Sequence, residues 1–237
     1  MIPPPPGSFR LLVFDWDGTV MDSISAIVEC TFAALATIDG LEPPPREQVR
    51  HSIGMGLVET MDQFFPDGGP ELHHRVLDAY REQWLTVFKD VFHPFPGVEE
   101  MLSGLGEAGY LLAVATAKSR RGLVRDFDRS GLGAHFHAAK TIDEAPSKPH
   151  PGMLLALFDE LGVAPGEALM IGDTSFDLEM AANAGCASVG VLSGAQPRER
   201  LELHAPLACL EVVTELPGWL ASQPARALAS AAPSAIP

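Results

Sequence analysis

The chain has 237 residues, 46% of them hydrophobic, and a formal net charge of −15. That length allows one core plus an inserted unit, and the charge argues against nucleic acid and anionic membranes, which need a basic face. The three cysteines, Cys30, Cys186 and Cys209, show no metal-ligand spacing, a pattern that points to reduced thiols and a cytoplasmic protein.

Residues 1–7 are Pro-rich, without the charged start and apolar centre of a signal peptide, and read as a loose tail. The first strand is expected over Arg10–Phe14, an apolar run of buried-strand type. It stops at two acids, Asp15 and Asp17, and Gly18 then lets the chain turn away. The stretch from there to the second strand is far longer than the ~30 residues of a simple βαβ unit. It carries helix patterns at Ser23–Ala36, Arg46–Ser52, Gly56–Phe64 and Pro70–Phe88, split by Pro43-Pro44-Pro45 and Asp67-Gly68-Gly69-Pro70. Ser23 is a candidate N-cap for the first helix. Residues 22–93 therefore read as an inserted helical domain, and His93-Pro94-Phe95-Pro96-Gly97 returns the chain to the core.

Beyond it, helix patterns at Val98–Ala108, Gly122–Ser130, Met153–Leu161 and Asp177–Ala184 alternate with strand candidates. The strands are Leu111–Ala115, Phe136–Lys140, Ala168–Ile171, Ser188–Val191 and a sixth near Ala208–Val212. Such alternation predicts an α/β fold, a parallel sheet with helices on both faces. The expected layout is a core from 8–21 and 94–220, the insert at 22–93, and loose tails at 1–7 and 221–237. No apolar segment is long enough to span a membrane.

Four strand-end signals carry chemistry. Acids at the carboxyl end of a buried strand sit where open α/β sheets bind ligands, although a single Asp-x-Asp also serves as a turn or cap. A second acidic cluster, Gly172-Asp173-Thr174-Ser175-Phe176-Asp177, follows another buried strand. Thr116-Ala117-Lys118 ends the second strand, and Lys148 lies in the Pro-rich loop Ser147–Pro151. Alone, Thr116 is a common N-cap and Lys148 a common solvated loop residue.

Asp15-Trp-Asp-Gly-Thr, then Thr116, then Lys148-Pro, then Gly172-Asp-Thr-x-x-Asp177 resembles, in order and spacing, the four-motif set of the haloacid-dehalogenase-like phosphohydrolases. Within that superfamily the chain is most similar to the phosphoglycolate-phosphatase-like group, over roughly residues 9 to 215. The resemblance implies a Rossmann-like doubly wound core, a helical cap, and a Mg²⁺-dependent phosphatase working through an aspartyl-phosphate. Asp15 would be the nucleophile and Asp17 the general acid, then base. Mg²⁺ would be held by Asp15, the Asp17 carbonyl and Asp173, with Asp177 supporting from behind. Thr116, the Ala117 N–H and Lys148 would hold the phosphoryl group. Trp16 is counted with them and either lines the cavity or packs beneath it. Ala117 stands where the group often has Asn or Ser, a mild departure because a backbone N–H still serves.

Substrate choice should come from the cap. Arg50, Gly54 and Met55, within Arg50-His51-Ser52-Ile53-Gly54-Met55-Gly56, are its candidate specificity residues. Gly54 and Gly56 permit close backbone approach. Arg50 either pairs with a substrate carboxylate or, like His51, ends a helix favourably against its dipole. His73-His74 reads as a solvated helix face. The leading substrate is a small phosphorylated metabolite such as 2-phosphoglycolate, and the protein a monomer or homodimer. Rivals are a sugar phosphomutase, a phosphonate hydrolase or a non-catalytic phosphometabolite-binding protein. A phosphonate hydrolase needs a cap lysine for its Schiff base, and Lys89 is the only one in residues 22–93.

Overall fold

A computed structural model describes residues 9–223; the expected tail at 1–7 and most of that at 221–237 lie outside this range. Six parallel strands form one sheet in the order β3-β2-β1-β4-β5-β6. They are β1 (Leu11–Phe14), β2 (Leu111–Thr116), β3 (Ala138–Thr141), β4 (Ala168–Gly172), β5 (Ala187–Val191) and β6 (Cys209–Leu210). β1 lies at the centre, with Phe14 level with Val114 on one side and Ile171 on the other.

Strand alternation divides the core in two. Leu12 and Phe14 face α5 (Val98–Glu107), α6 (Arg120–Ser130) and α10 (Leu216–Ser222), among them Leu102, Leu123 and Leu216. Leu11 and Val13 face α7 (Gly152–Leu161) and α8 (Ser175–Ala184), among them Leu154 and Met180. Both faces are covered, so the strands read as unbroken apolar runs. The strand order turns back between β1 and β4, the place where such sheets open a crevice beyond their carboxyl ends.

Between β1 and α5 the chain forms α1 (Ile24–Leu35), α2 (Arg46–Ser52), α3 (Leu57–Phe64) and α4 (Gly69–Gln83). These helices enclose an apolar cluster of their own, with Leu35, Ile38, Met61, Phe65, Val76 and Leu77. The outgoing and returning chains run side by side, with Asp22 N–H donating to the His93 carbonyl at 2.9 Å and Phe95 N–H to that of Val20 at 3.0 Å.

The expected helix over 70–88 is α4 followed by a π-helical turn at Trp84–Phe88. Ser23 stands at the N-cap of α1 but makes no side-chain cap; its hydroxyl donates to Asp17 Oδ1 at 2.7 Å instead. His73 is not solvated: its ring pairs with the Phe65 carbonyl at 2.9 Å and with Asp62 at 3.4 Å. α10 runs to Ser222, two residues into the segment expected to be loose, because Leu216 anchors it in the core. No helix among the described residues is long and apolar enough to cross a membrane.

Candidate active site

The carboxyl ends of β1, β2 and β4 bring three of the four sequence signals together, and the loop before α7 adds the fourth. Asp15 follows β1 directly and is 2% exposed. Its N–H donates to the Ile171 carbonyl at 2.8 Å, which ties it to the end of β4. Lys148, expected to be either solvated or catalytic, is buried, with Nζ 2.7 Å from Asp15 Oδ1 and 2.6 Å from Asp177 Oδ1.

Asp173 sits beside them. Its Oδ1 accepts from the Thr19 hydroxyl at 2.9 Å and its Oδ2 from Ala195 N–H at 2.7 Å. A Cβ on Gly18 would stand 2.4 Å from that Oδ2, and Gly18 also has φ +84°, so the turn after Asp17 needs glycine twice over. Asp177 caps its own helix: Oδ2 accepts from the Thr174 N–H at 3.1 Å and hydroxyl at 2.7 Å. Asp15, Asp173 and Asp177 each offer an oxygen within 4.8 Å of the others.

This cluster sets three buried carboxylates against one ammonium. Burial pushes Asp15 well above the usual carboxylate range; Lys148 opposes the rise, and Asp177 and Asp173 add to it. Burial likewise raises Asp173 to about 7, with Asp177 adding and Ala195 N–H, Thr19 and Lys148 opposing. Burial also disfavours the Lys148 ammonium, but its two carboxylate partners outweigh that and hold it charged. An all-oxygen donor set with excess negative charge fits a hard divalent cation such as Mg²⁺.

Asp17 is more open and has different partners. Its Oδ1 accepts from Ser23, and its Oδ2 lies 3.1 Å from Lys118 Nζ. Lys118 continues to Asp126 Oδ2 at 3.3 Å and lies 5.2 Å from the centre of the Trp84 ring. Burial disfavours the Lys118 ammonium, but Asp17 and Asp126 outweigh it and raise its pKa. Thr116 is buried at the end of β2, and its Oγ1 accepts from Lys118 N–H at 3.2 Å. Asp15, Asp17, Thr116, Ala117 and Lys118 line one cavity of about 560 Å³, closed on the other side by Gly54 and Met55, between α2 and α3, and by residues of α1–α4.

Two readings left open by the sequence are decided by the packing. Trp16 does not line the cavity. Its side chain is fully buried against Phe127 and Phe136, with ring centres 5.1 and 6.1 Å away, and its indole N–H donates to Asp126 Oδ2 at 3.1 Å. Alternation along the strand end turns it inward. Arg50 does not reach the cavity either. The end of α2 abuts the loop after β5, so Arg50 Nε donates to the Ala195 carbonyl at 3.0 Å and Nη2 to that of Gly194 at 2.5 Å. His51 ends the same helix, and its carbonyl accepts from Gln196 Nε2 at 3.2 Å. Gly54, at φ +99°, passes so close that a Cβ would stand 3.0 Å from Thr174 Oγ1. The segment joins the inserted helices to the Asp173 loop.

Sequence reasoning gave no role to Lys118, Asp126 or Thr19, and gave Ser23 only that of a helix N-cap. Lys118 was visible as a charge directly after a strand-end Thr. Asp126 sits in a polar helix and had no local signal.

The model of the haloacid dehalogenase-like hydrolase family matches residues 12–191, and the chain belongs to that family. It is 34% identical to a Dickeya dadantii protein named "Probable phosphatase IndB", over 88% of this chain and 92% of that one. It is 31% identical to a Pseudomonas putida phosphoglycolate phosphatase, over 85% of this chain and 76% of that one. Among solved structures, a hydrolase from Pseudomonas syringae superposes with a TM-score of 0.81 at 23% identity, covering 90% of this chain and 98% of that one. That last likeness is one of fold.

Proposed function

We propose that the protein is a Mg²⁺-dependent phosphatase of small phosphorylated metabolites, acting from the cytoplasm through an aspartyl-phosphate on Asp15. The observation that carries this is the pairing of Asp15, which lines the cavity, with the buried Lys148, whose Nζ lies 2.7 Å from Asp15 Oδ1. That contact occupies one carboxylate oxygen and leaves the other to attack. Residues 22–93 serve as the cap over a core of 8–21 and 94–220.

In the first half-reaction a bond forms between the free Asp15 oxygen and phosphorus. The ester P–O bond breaks, and Asp17 gives its proton to the departing alkoxide. Ser23 and Lys118 hold the Asp17 carboxyl in place for this. In the second, water attacks phosphorus, Asp17 takes the water's proton, and Asp15 is released with inorganic phosphate. Thr116 and the Ala117 N–H take the phosphoryl oxygens, with Lys148 neutralising charge. Asp15, the Asp17 carbonyl and Asp173 would hold Mg²⁺, which when bound offsets the repulsion between carboxylate and phosphate dianion. Asp177 supports them through Lys148 and Thr174.

The names of relatives make 2-phosphoglycolate the reference substrate. Its carboxylate no longer has Arg50 as a partner. A phosphonate-hydrolase reading finds no Schiff-base lysine on the cap, since Lys89 is exposed and lies outside the cavity lining. A mutase or a non-catalytic binder would release little phosphate from a generic ester.

The test is phosphate release from an aryl phosphate with Mg²⁺. The expected outcome is steady turnover that Asp15→Asn lowers at least ~10³-fold while the fold persists. Near-normal turnover by that variant would remove Asp15 from the mechanism.

A further inference from the structure

The cavity above the phosphoryl site is unlike a binding place for a two-carbon acid. Its volume, about 560 Å³, lies in the range of pockets that enclose drug-sized molecules. Its cap walls are apolar, with Ile27, Met55, Leu57, Val58, Phe64 and Leu85 among them. Ten large apolar side chains stand exposed among the described residues, and three of these, Leu57, Val58 and Leu85, face this cavity. Apolar groups gathered round a catalytic floor are expected to cover an apolar ligand.

The cations that line it are poorly placed to hold a small acid against those walls. Lys118 is spent on Asp17 and Asp126. Arg81 is paired with Asp78 at 2.9 Å and faces solvent. Arg121 and Arg125 stand one turn apart on α6, a helix of the core and not one of the inserted helices that carry the apolar walls.

From this lining we infer that the preferred substrates are phosphomonoesters of alcohols with an extended apolar body. The phosphoryl group sits over Asp15 and the body lies along Leu57, Val58 and Leu85. The inference rests on the phosphatase reading and narrows it to a substrate class.

The test is kcat/KM along n-alkyl phosphates from ethyl to hexyl with Mg²⁺, with 2-phosphoglycolate beside them. The leaving alkoxides are almost equally basic, so a trend reports contact with the cavity rather than chemistry. Each methylene that is buried should raise kcat/KM about fourfold, the equivalent of about 0.8 kcal/mol. Four added methylenes give about 250-fold if all are buried, so hexyl phosphate should exceed ethyl phosphate at least ~30-fold even when little more than half of that surface is covered, and should also exceed 2-phosphoglycolate. Leu57→Asn with Leu85→Asn, both at exposed positions, should cut the slope to about half.

A flat or falling series overturns the inference while leaving the phosphatase reading in place. So does faster turnover of 2-phosphoglycolate, which would instead assign Arg121 and Arg125 to a carboxylate. A slope unchanged in the double variant also overturns it, because the chain would then lie elsewhere. Failure of every ester to release phosphate overturns the phosphatase reading itself.

Discussion

The two ends of the cavity are built on opposite physical terms. At the phosphoryl end nearly every polar atom is committed. Asp173 accepts from Thr19 and Ala195, Asp177 from Thr174 and Lys148, and Asp15 from Lys148. Buried charge tolerates little freedom, since a lost partner leaves another group unpaired. At the leaving-group end the lining is apolar and partly exposed, as at Leu57 and Leu85. Contacts there are non-directional and scale with area, so one residue can be exchanged at small cost. On the proposed reading the polar cluster would fix the chemistry and the apolar wall the choice of substrate.

Lys148 offers the sharpest way to break the polar end. Lys148→Met leaves Asp15 and Asp177 buried without their shared cation. Loss of one partner of a buried ion pair costs about 3–5 kcal/mol, and turnover should fall at least ~10²-fold as well. Urea unfolding and phosphate release on the same sample check both. A variant as stable and active as the parent would mean that Lys148 is not part of the cradle.

A smaller effect should follow pH. The Asp173 carboxyl is raised from 3.8 to about 7, first by burial and then by Asp177. An acid with a raised pKa binds its proton more tightly folded than unfolded. Its neutral form therefore supports the fold fully below its unfolded value, and that support is lost as pH climbs through about 7. Metal needs the charged carboxylate. The rise in melting temperature on adding Mg²⁺ should accordingly grow between about pH 5 and pH 8. A shift that is constant or shrinks over this range would separate Asp173 from the metal.

Arg50→Ala should have the smallest effect and touch both ends alike. The side chain ties α2 to the Gly194 and Ala195 carbonyls, so its loss loosens the cap rather than a substrate contact. Partly buried bonds from a charged donor are worth about 1.5–3 kcal/mol, and part of that should appear as a lower melting temperature. Turnover of 2-phosphoglycolate and of an aryl phosphate should fall by the same factor. A loss confined to 2-phosphoglycolate would return Arg50 to the substrate site.

The polar end was largely legible in the sequence, and the apolar end was not. Leu11–Phe14 is buried on both faces, so it reads as an unbroken apolar run, and the two acids that end it became informative once a second acidic cluster followed another such run. The same logic exposed Asp173 after β4 and Thr116 after β2. Trp16 stayed open between lining and packing because an aromatic between two acids carries no periodic signal of the face it takes. Arg50 misled because its partners, Gly194 and Ala195, lie 144 and 145 residues away and are backbone carbonyls, which no residue type reveals. Leu57 falls with Met61 and Phe64 on the helical spacing that a packed core would show, so periodicity could not tell a wall from a core.

The central claim is that Asp15 carries the phosphoryl group between the two half-reactions. Asp17→Asn keeps the nucleophile and removes the base that activates water, so with Mg²⁺ and an aryl phosphate the covalent state should accumulate. Mass spectrometry of the quenched, digested protein is expected to find one phosphoryl increment, on the peptide that holds Asp15. An increment on another residue, or none in a variant that still releases the aryl alcohol, would contradict it.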